Sequence, residues 1–298
     1  MKFRIVSWNI RHFRADKIQD YWKVIQDETC DAHLAFFYEN KMVNNKDGKT
    51  ILQLKSKIEG SSKFLSPEYK FYVVPVGTDE NVLLFCALRP KTGKNSQYGA
   101  GRPFEVAISP DDTLKNSLYD PGMQKLKSSM NMTVLTKLAW NESEFRVPAI
   151  VDVQITRPDK KTKTFKIAAW HAPGPAMGMA EPLWEAYKEE LAGLVDVYVG
   201  DFNFPGTETS KHAKVELVPT GESTTFTKSG LVPHQEGLDL VFRNTDTIAS
   251  SKSQLGTFGT SYKAWLDVGV SSLDAFSTWE EAFEMTDHRP VIATLHGI

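Results

Sequence analysis

Apolar positions along the chain fall into two kinds of run: short strand-like stretches that end on a polar residue, and stripes at three- and four-residue steps. Phe3-Arg4-Ile5-Val6-Ser7-Trp8-Asn9 and Phe165-Lys166-Ile167-Ala168-Ala169-Trp170-His171 read as buried strands, with Phe, Ile and Trp recurring at one offset of 162. Ile18, Tyr21, Trp22 and Ile25 make the stripe of a half-buried helix, and Leu183, Trp184, Tyr187 and Leu191 make a second. The strands that follow, Ala32-His33-Leu34-Ala35-Phe36-Phe37 and Leu194-Val195-Asp196-Val197-Tyr198-Val199, run into Glu39 and Asp201. Each carboxylate lies 31 residues beyond the Trp of its half. A weaker echo links Arg146-Val147-Pro148-Ala149-Ile150-Val151 to His288-Arg289-Pro290-Val291-Ile292-Ala293. The pattern predicts one α/β domain over residues 1–298, made of two pseudo-symmetric halves at about 1–155 and 160–298, with two sheets face to face and helices outside.

Composition narrows the function classes. A chain of 298 residues with 41% hydrophobic and 24% charged positions buries a sizeable core, which excludes disorder and coiled coil. Lys and Arg number 35 against 37 Asp and Glu, so no global positive field draws the protein onto nucleic acid, and any polyanion binding is local. No apolar run approaches the roughly 20 residues of a membrane span. The chain opens on a strand-like Lys2-Phe3-Arg4-Ile5-Val6 without the sections of a signal peptide, which favours the cytoplasm; no protein partner is expected. Cys30 and Cys86 are too few for a disulfide framework and read as buried thiols. Residues 93–132 read as a long polar loop beside the site, and Lys160, Lys161, Lys163 and Lys166 as a solvated hairpin. His12, His33, His212, His234 and His296 default to structural roles, with His12 close to the site.

The two halves bring Asn9, Glu39, Arg146, His171, Asp201 and His288 to the same end of their strands. Together with Asp239, Asp287, Asn203 and Arg11 they offer carboxylates, amides, imidazoles and cations. Hard oxygen ligands suit Mg²⁺ or Mn²⁺, which take part of their shell from a phosphate, while zinc lacks a close His/Cys cluster. In Gly200-Asp201-Phe202-Asn203 the extended chain puts Asp201 and Asn203 on one side and Phe202 on the other. A carboxylate there holds a water while the amide donates to a phosphoryl oxygen. Asp239 sits inside an apolar strand, a costly place unless it is paired, and His288 is the natural partner. Asp287 diverges from its neighbour His288 and can reach a metal.

These motifs, in order over nearly the whole chain, resemble the endonuclease/exonuclease/phosphatase superfamily, and within it the deoxyribonuclease I branch. The matching stretches are Trp8-Asn9-Ile10-Arg11-His12-Phe13, Tyr38-Glu39, Phe145-Arg146-Val147-Pro148-Ala149, Trp170-His171-Ala172-Pro173, Gly200-Asp201-Phe202-Asn203, Leu238-Asp239-Leu240-Val241 and Thr286-Asp287-His288-Arg289-Pro290-Val291. The resemblance implies a four-layered α/β sandwich of two mixed sheets flanked by helices, and a divalent-metal phosphoesterase. By position it implies Asn9, Glu39 and Asp287 as metal ligands, with His171, Asp201, Asn203, Asp239 and His288 as the catalytic set. Arg11 and Arg146 match phosphate contacts. Either Asp201 or the Asp239–His288 pair would be the base. The carboxylate expected to partner His171 is out of register, its candidates being Glu80 and Asn81. The sequence also departs from the Trp-Arg-Leu-Asp wording of abasic-site endonucleases, carrying Glu236-Gly237-Leu238-Asp239, and lacks the Cys-Asp-Arg motif of inositol polyphosphate phosphatases. The activity expected is Mg²⁺-dependent hydrolysis of DNA phosphodiesters. A small phosphomonoester, a lipid phosphodiester, or silent binding on the same fold stand as alternatives.

Overall fold

A computed structural model describes residues 2–11, 17–27, 30–39, 69–77, 81–87, 105–129, 145–157, 159–174, 178–205, 212–231, 238–255, 262–273 and 276–298. The first half runs β1 (Lys2–Asn9), α1 (Ile18–Gln26), β2 (Leu34–Tyr38), β3 (Tyr69–Pro75), β4 (Asn81–Ala87), β5 (Glu105–Pro110), α2 (Asp112–Ser117), α3 (Tyr119–Ser129) and β6 (Ala149–Thr156). The second runs β7 (Thr162–His171), α4 (Ala180–Leu191), β8 (Val197–Asp201), β9 (Val215–Val218), β10 (Phe226–Thr227) and β11 (Gly230–Leu231). It closes with β12 (Asp239–Asn244), β13 (Ile248–Ala249), α5 (Lys252–Leu255), β14 (Ala264–Val270), α6 (Trp279–Phe283) and β15 (Val291–His296).

Among the described residues the strands form two large mixed sheets, in the orders β13-β14-β15-β1-β2-β4-β3 and β5-β6-β7-β8-β12-β9. At the centre of each lies a parallel pair, β1 with β2 and β7 with β8, whose chain crosses over through α1 or α4. An antiparallel strand borders each pair on either side: β15 and β4 in the first sheet, β6 and β12 in the second. The internal repeat is therefore a repeat of topology as well as of wording.

Pleating sorts the side chains into layers. Phe3 and Ile5 of β1, Leu34 and Phe36 of β2, Ile167 and Ala169 of β7 and Val197 and Val199 of β8 meet in one core between the sheets. Their intervening neighbours point out. Val6 and Trp8 pack with Tyr21, Val24 and Ile25 of α1, while Ala168 and Trp170 pack with Leu183, Trp184 and Tyr187 of α4. Helix, sheet, sheet, helix is the four-layered α/β sandwich that the motifs imply. Each large side chain fully buried in it contributes roughly 1.5–3 kcal/mol.

Three expectations change. Of residues 93–132, read as a loop, 105–129 form β5, α2 and α3, and the rest lie outside the described residues. Edge strand β5 buries Val106 and exposes Glu105 and Ala107, and the helices turn inward little more than Leu114, Leu118 and Leu126, a stripe one residue wide that polar neighbours hide. Nor do all the lysines of the hairpin face water. Lys163 Nζ donates to the carbonyls of Lys263 (2.6 Å) and Gly297 (2.7 Å), and Lys166 pairs with Asp111 (2.6 Å) and Asp152 (2.9 Å). Finally, the equal 31-residue spacings conceal a one-residue difference in register: Asn9 pairs with Tyr38, whereas His171 pairs with Asp201. Glu39 consequently lies just past its strand, in the left-handed region at φ 61. Of the cysteines, Cys30 is a buried thiol in no disulfide, as expected, and the Cys86 side chain lies outside the described residues.

Close approach of β7 and β8 depends on Gly200. A Cβ placed there would sit 1.8 Å from the Trp170 carbonyl oxygen, and neither partner can yield without parting the strands. Gly200→Ala is expected to lower unfolding free energy by at least about 3 kcal/mol, the upper end of ordinary overpacking, measured by denaturant titration against Gly174→Ala, where a Cβ meets nothing.

Candidate active site

The inward-facing register that carries apolar side chains through the core ends in polar ones. In β1 the series Phe3, Ile5 continues to Ser7 and Asn9; in β7, Ile167 and Ala169 continue to His171; in β8, Val197 and Val199 continue to Asp201; and in β12, Val241 is preceded by Asp239. Asn9, His171, Asp201 and Asp239 are all at most 3% exposed. Buried polar groups of this kind are costly unless they satisfy one another. Here they do so across the seam between the sheets.

Asn9 Nδ2 donates to Asp201 Oδ2 at 2.9 Å and reaches Glu39 Oε1 at 3.3 Å, while its Oδ1 accepts from the Arg11 backbone N–H at 2.8 Å. Asp201 is the hub. His171 Nε2 and His288 Nε2 each lie 3.9 Å from its Oδ2, and His171 Nε2 is also 3.7 Å from Glu39 Oε1. Asp201 Oδ1 accepts from the Asn203 N–H (3.0 Å), and the Asn203 amide donates to the Ala172 carbonyl (2.9 Å). The pairing anticipated for Asp239 is present, with His288 Nδ1 at 2.8 Å from its Oδ2.

Arg146 turns its guanidinium onto His171, with Nη1 3.0 Å from Nδ1 and 3.1 Å from the Ala172 carbonyl. Arg11 is exposed at the end of β1. Asp287 follows the buried Thr286, and its backbone carbonyl accepts from Phe226 N–H at 2.9 Å. Of the two proposed partners of His171, Glu80 lies outside the described residues, as does the side chain of Asn81, which opens β4. His12 and His234 lie outside them too. His33 and His212 each accept a backbone N–H at Nδ1, and His296 stacks on Trp265 at 3.9 Å, which are structural roles.

Several supports escaped sequence reasoning. Tyr38 accepts from Ser7 Oγ (3.2 Å) and donates to the Val199 carbonyl (3.3 Å), tying the sheets together beneath the polar groups. Burial drives its hydroxyl well above the ordinary phenol range, so it stays a neutral donor. Thr286 Oγ1 donates to the Asn9 carbonyl (2.6 Å) and accepts from the His288 N–H (3.0 Å). In each half the Trp behind the site donates its indole N–H to the residue that leads the neighbouring strand, Trp8 to the His288 carbonyl (2.8 Å) and Trp170 to the Arg146 carbonyl (3.0 Å). The echo between the Arg146 and His288 segments was the available signal for this second correspondence.

Charge at the seam is lopsided toward anions. Burial alone would strip the proton from His288, but Asp239, Asp201 and Asp287 outweigh it and push the imidazolium up to about 10. Asp201, Asp239 and His288 offer ligand atoms within 4.8 Å of one another, and Asp239 Oδ1 is buried with no hydrogen-bond partner among the described residues. Glu39 adds a carboxylate that shares the Asn9 amide with Asp201. Converging carboxylate oxygens of this kind fit a hard divalent cation.

No family model matches the sequence, and no curated protein matches it. Solved structures similar to the chain include truncated TDP2 from Caenorhabditis elegans, at TM-score 0.48 and 10% identity over 99% of this chain and 98% of that one. Another is the inositol polyphosphate 5-phosphatase domain of a synaptojanin, bound to inositol (1,4)-bisphosphate and a calcium ion, at TM-score 0.42 and 10% identity over 99% and 83%. A third is ANGEL2, a 2',3'-cyclic phosphatase, at TM-score 0.40 and 11% identity over 99% and 95%. All three are members of the endonuclease/exonuclease/phosphatase superfamily, the one this chain's motifs resemble. At TM-scores below 0.5 these likenesses leave the chemistry to be argued from the site itself.

The His288 proton has a measurable consequence. Its folded value of about 10 stands above the ordinary 6.5, so its contribution to stability is complete below pH 6.5 and is lost as pH rises toward 10. Denaturant titrations of the metal-free protein are expected to show stability falling across that window. The double variant Asp239→Asn, His288→Gln is expected to be flat there; a flat wild-type profile would contradict the pairing.

Proposed function

We propose that this chain is a divalent-metal-dependent phosphodiesterase, an endonuclease that hydrolyses DNA phosphodiester bonds by attack of an activated water. The observation that carries the proposal is Asp201, buried at the seam with one imidazole on either side at 3.9 Å and an amide donor from the opposite sheet. Glu39 and Asp287, with the Asn9 side-chain oxygen, would hold Mg²⁺ or Mn²⁺. Once bound, the metal supplies Lewis-acid neutralisation of the phosphoryl oxygens.

The choice of base follows from protonation. His288, held as an imidazolium by Asp239 and Asp201, has no vacant lone pair at neutral pH and acts as a donor to the phosphoryl oxygens. Asp201 is then the group left to orient the water and take its proton, and its Oδ1 bond to the Asn203 N–H fixes the carboxylate plane. The Asn203 amide and the His171 imidazole complete the donor set around the phosphoryl group. Arg146, lying on His171, and Arg11, at the rim, are the cations placed to receive the negative ester. With a net charge of -2 over the chain, these local cations replace a global attraction.

Incubation with supercoiled plasmid and Mg²⁺ is expected to yield nicked and linear DNA, with EDTA abolishing the reaction. Asp201→Asn is expected to lower the rate by about 10²- to 10⁴-fold, the range of a lost acid–base group, with circular dichroism unchanged. Intact plasmid alongside turnover of sphingomyelin or a phosphomonoester would replace the DNA reading. A fully active Asp201→Asn would overturn the assignment of the base.

A further inference from the structure

Arg289, which the hydrolytic step does not use, follows His288, leads into β15 and is only 4% exposed. A charge buried this deeply is costly unless its donors find acceptors, and every nitrogen of its guanidinium does. Nε donates to the Ser271 carbonyl (2.8 Å), Nη1 to the Ser223 carbonyl (2.9 Å) and Nη2 to the Glu222 carboxylate (3.0 Å). The Arg289 backbone N–H adds a bond to the Thr224 carbonyl at 2.7 Å.

Ser271 follows β14 in the first sheet, and its own N–H donates to the Pro290 carbonyl at 2.9 Å, which gives Arg289 a fixed base. Glu222, Ser223 and Thr224 are consecutive residues of the irregular connection between β9 and β10. Arg289 holds all three. The next two continue the register: Thr225 bridges His288, and Phe226 N–H donates to the Asp287 carbonyl at 2.9 Å.

This clamp presents the Thr224 side chain to the seam. Thr224 is fully buried, and its Oγ1 has no hydrogen-bond partner among the described residues; Asp239 Oδ1 is in the same condition. The two side chains are neighbours: burial lifts the Asp239 carboxyl above its ordinary range, while His288 and then the Thr224 hydroxyl pull it back. A hydroxyl donor and a carboxylate acceptor, both buried and both short of a partner, gain much from a small approach. Asp239 Oδ2 already meets His288 Nδ1 at 2.8 Å, so a bond at Oδ1 fixes the carboxylate plane that sets the imidazole.

We propose that Arg289 is a positioning residue for the Asp239–His288 pair: it pins residues 222–224 so that the Thr224 hydroxyl braces the Asp239 carboxylate and His288 stays aimed into the seam. The consequence for turnover rests on the phosphodiesterase reading; the bracing itself does not.

Arg289→Lys keeps the charge but loses the planar fork that reaches several acceptors at once, and Thr224→Val removes the hydroxyl at nearly constant shape. With bis(p-nitrophenyl) phosphate and Mg²⁺, kcat is expected to fall about tenfold in the first and about fivefold in the second, the equivalent of one or two lost hydrogen bonds. KM is expected to hold, because neither residue meets the ester. In an Asp239→Asn background, where the pair is already broken, each substitution is expected to cost less than about twofold. A second readout needs no substrate: the proton between His288 Nδ1 and Asp239 gives a downfield NMR resonance in the metal-free protein, assigned by its loss in Asp239→Asn. In both variants that proton is expected to exchange faster with solvent. Losses as large in the Asp239→Asn background as in wild type, or a resonance unmoved in both variants, overturn the proposal. Should Arg289→Lys not fold, Thr224→Val decides by the same measurements. If wild type hydrolyses no phosphodiester while the resonance still responds, the phosphodiesterase reading fails and the bracing of the pair stands.

Discussion

The hydrogen bond from Asn9 to Asp201, 2.9 Å long and joining residues at the ends of strands in opposite sheets, is the constraint on which the site depends. Two sheets packed by apolar side chains alone could slide or splay at their ends, because burial is non-directional. Directional bonds fix the seam: Asn9 to Asp201, Tyr38 to the Val199 carbonyl, His288 to Asp239. Asn9, Tyr38, Asp201 and Asp239 are buried and His288 is half-buried, so each is costly to leave unpaired. Sheet packing and site assembly are one event.

Much of this was legible in the chain. Offsets between Phe3, Ile5, Trp8 and Phe165, Ile167, Trp170 announced two alike halves, because a buried central strand must repeat its inward and outward sizes to fill the same space. The polar strand ends, Asp201 and Asp239 above all, stood out because carboxylates in apolar strands need partners. What stayed hidden depends on pairing in space. Strand β5 and helices α2 and α3 bury too narrow a stripe to be heard above their polar residues. The one-residue change in register between Asn9–Tyr38 and His171–Asp201 leaves no trace in residue counts, since both halves keep a spacing of 31. Lys163 and Lys166 look like any surface lysines until the carbonyls and carboxylates that receive them are brought near by the fold.

That register change sets the two carboxylates apart. Repeating the same pairing in both halves would place a carboxylate opposite Asn9 as Asp201 stands opposite His171. Tyr38 occupies that position instead, inside the core, and the carboxylate is moved one residue on, to Glu39 at the rim. The first half thus contributes a partly exposed carboxylate and the second a buried one.

The indole bonds show how a symmetric frame can hold unlike groups. Trp8 and Trp170 each donate to the carbonyl of the residue leading the adjacent strand, and those residues are His288 and Arg146. The main chain is positioned twice by one device, while the side chains differ: His288 turns to Asp239 and becomes cationic by pairing, whereas Arg146 is cationic by nature and lies on His171. Cations from both halves therefore flank the seam, and they are unlike: one is an imidazolium that can give up its proton, the other a guanidinium that keeps its own. Such inequivalence is what a directional displacement requires, since the attacking water and the departing oxygen occupy opposite sides of phosphorus and call for different neighbours. The surroundings differ as well: Phe283, with Arg11 and Lys228 at its ring, belongs to the segment that leads to His288, whereas Tyr187 packs behind Arg146 and donates to its carbonyl.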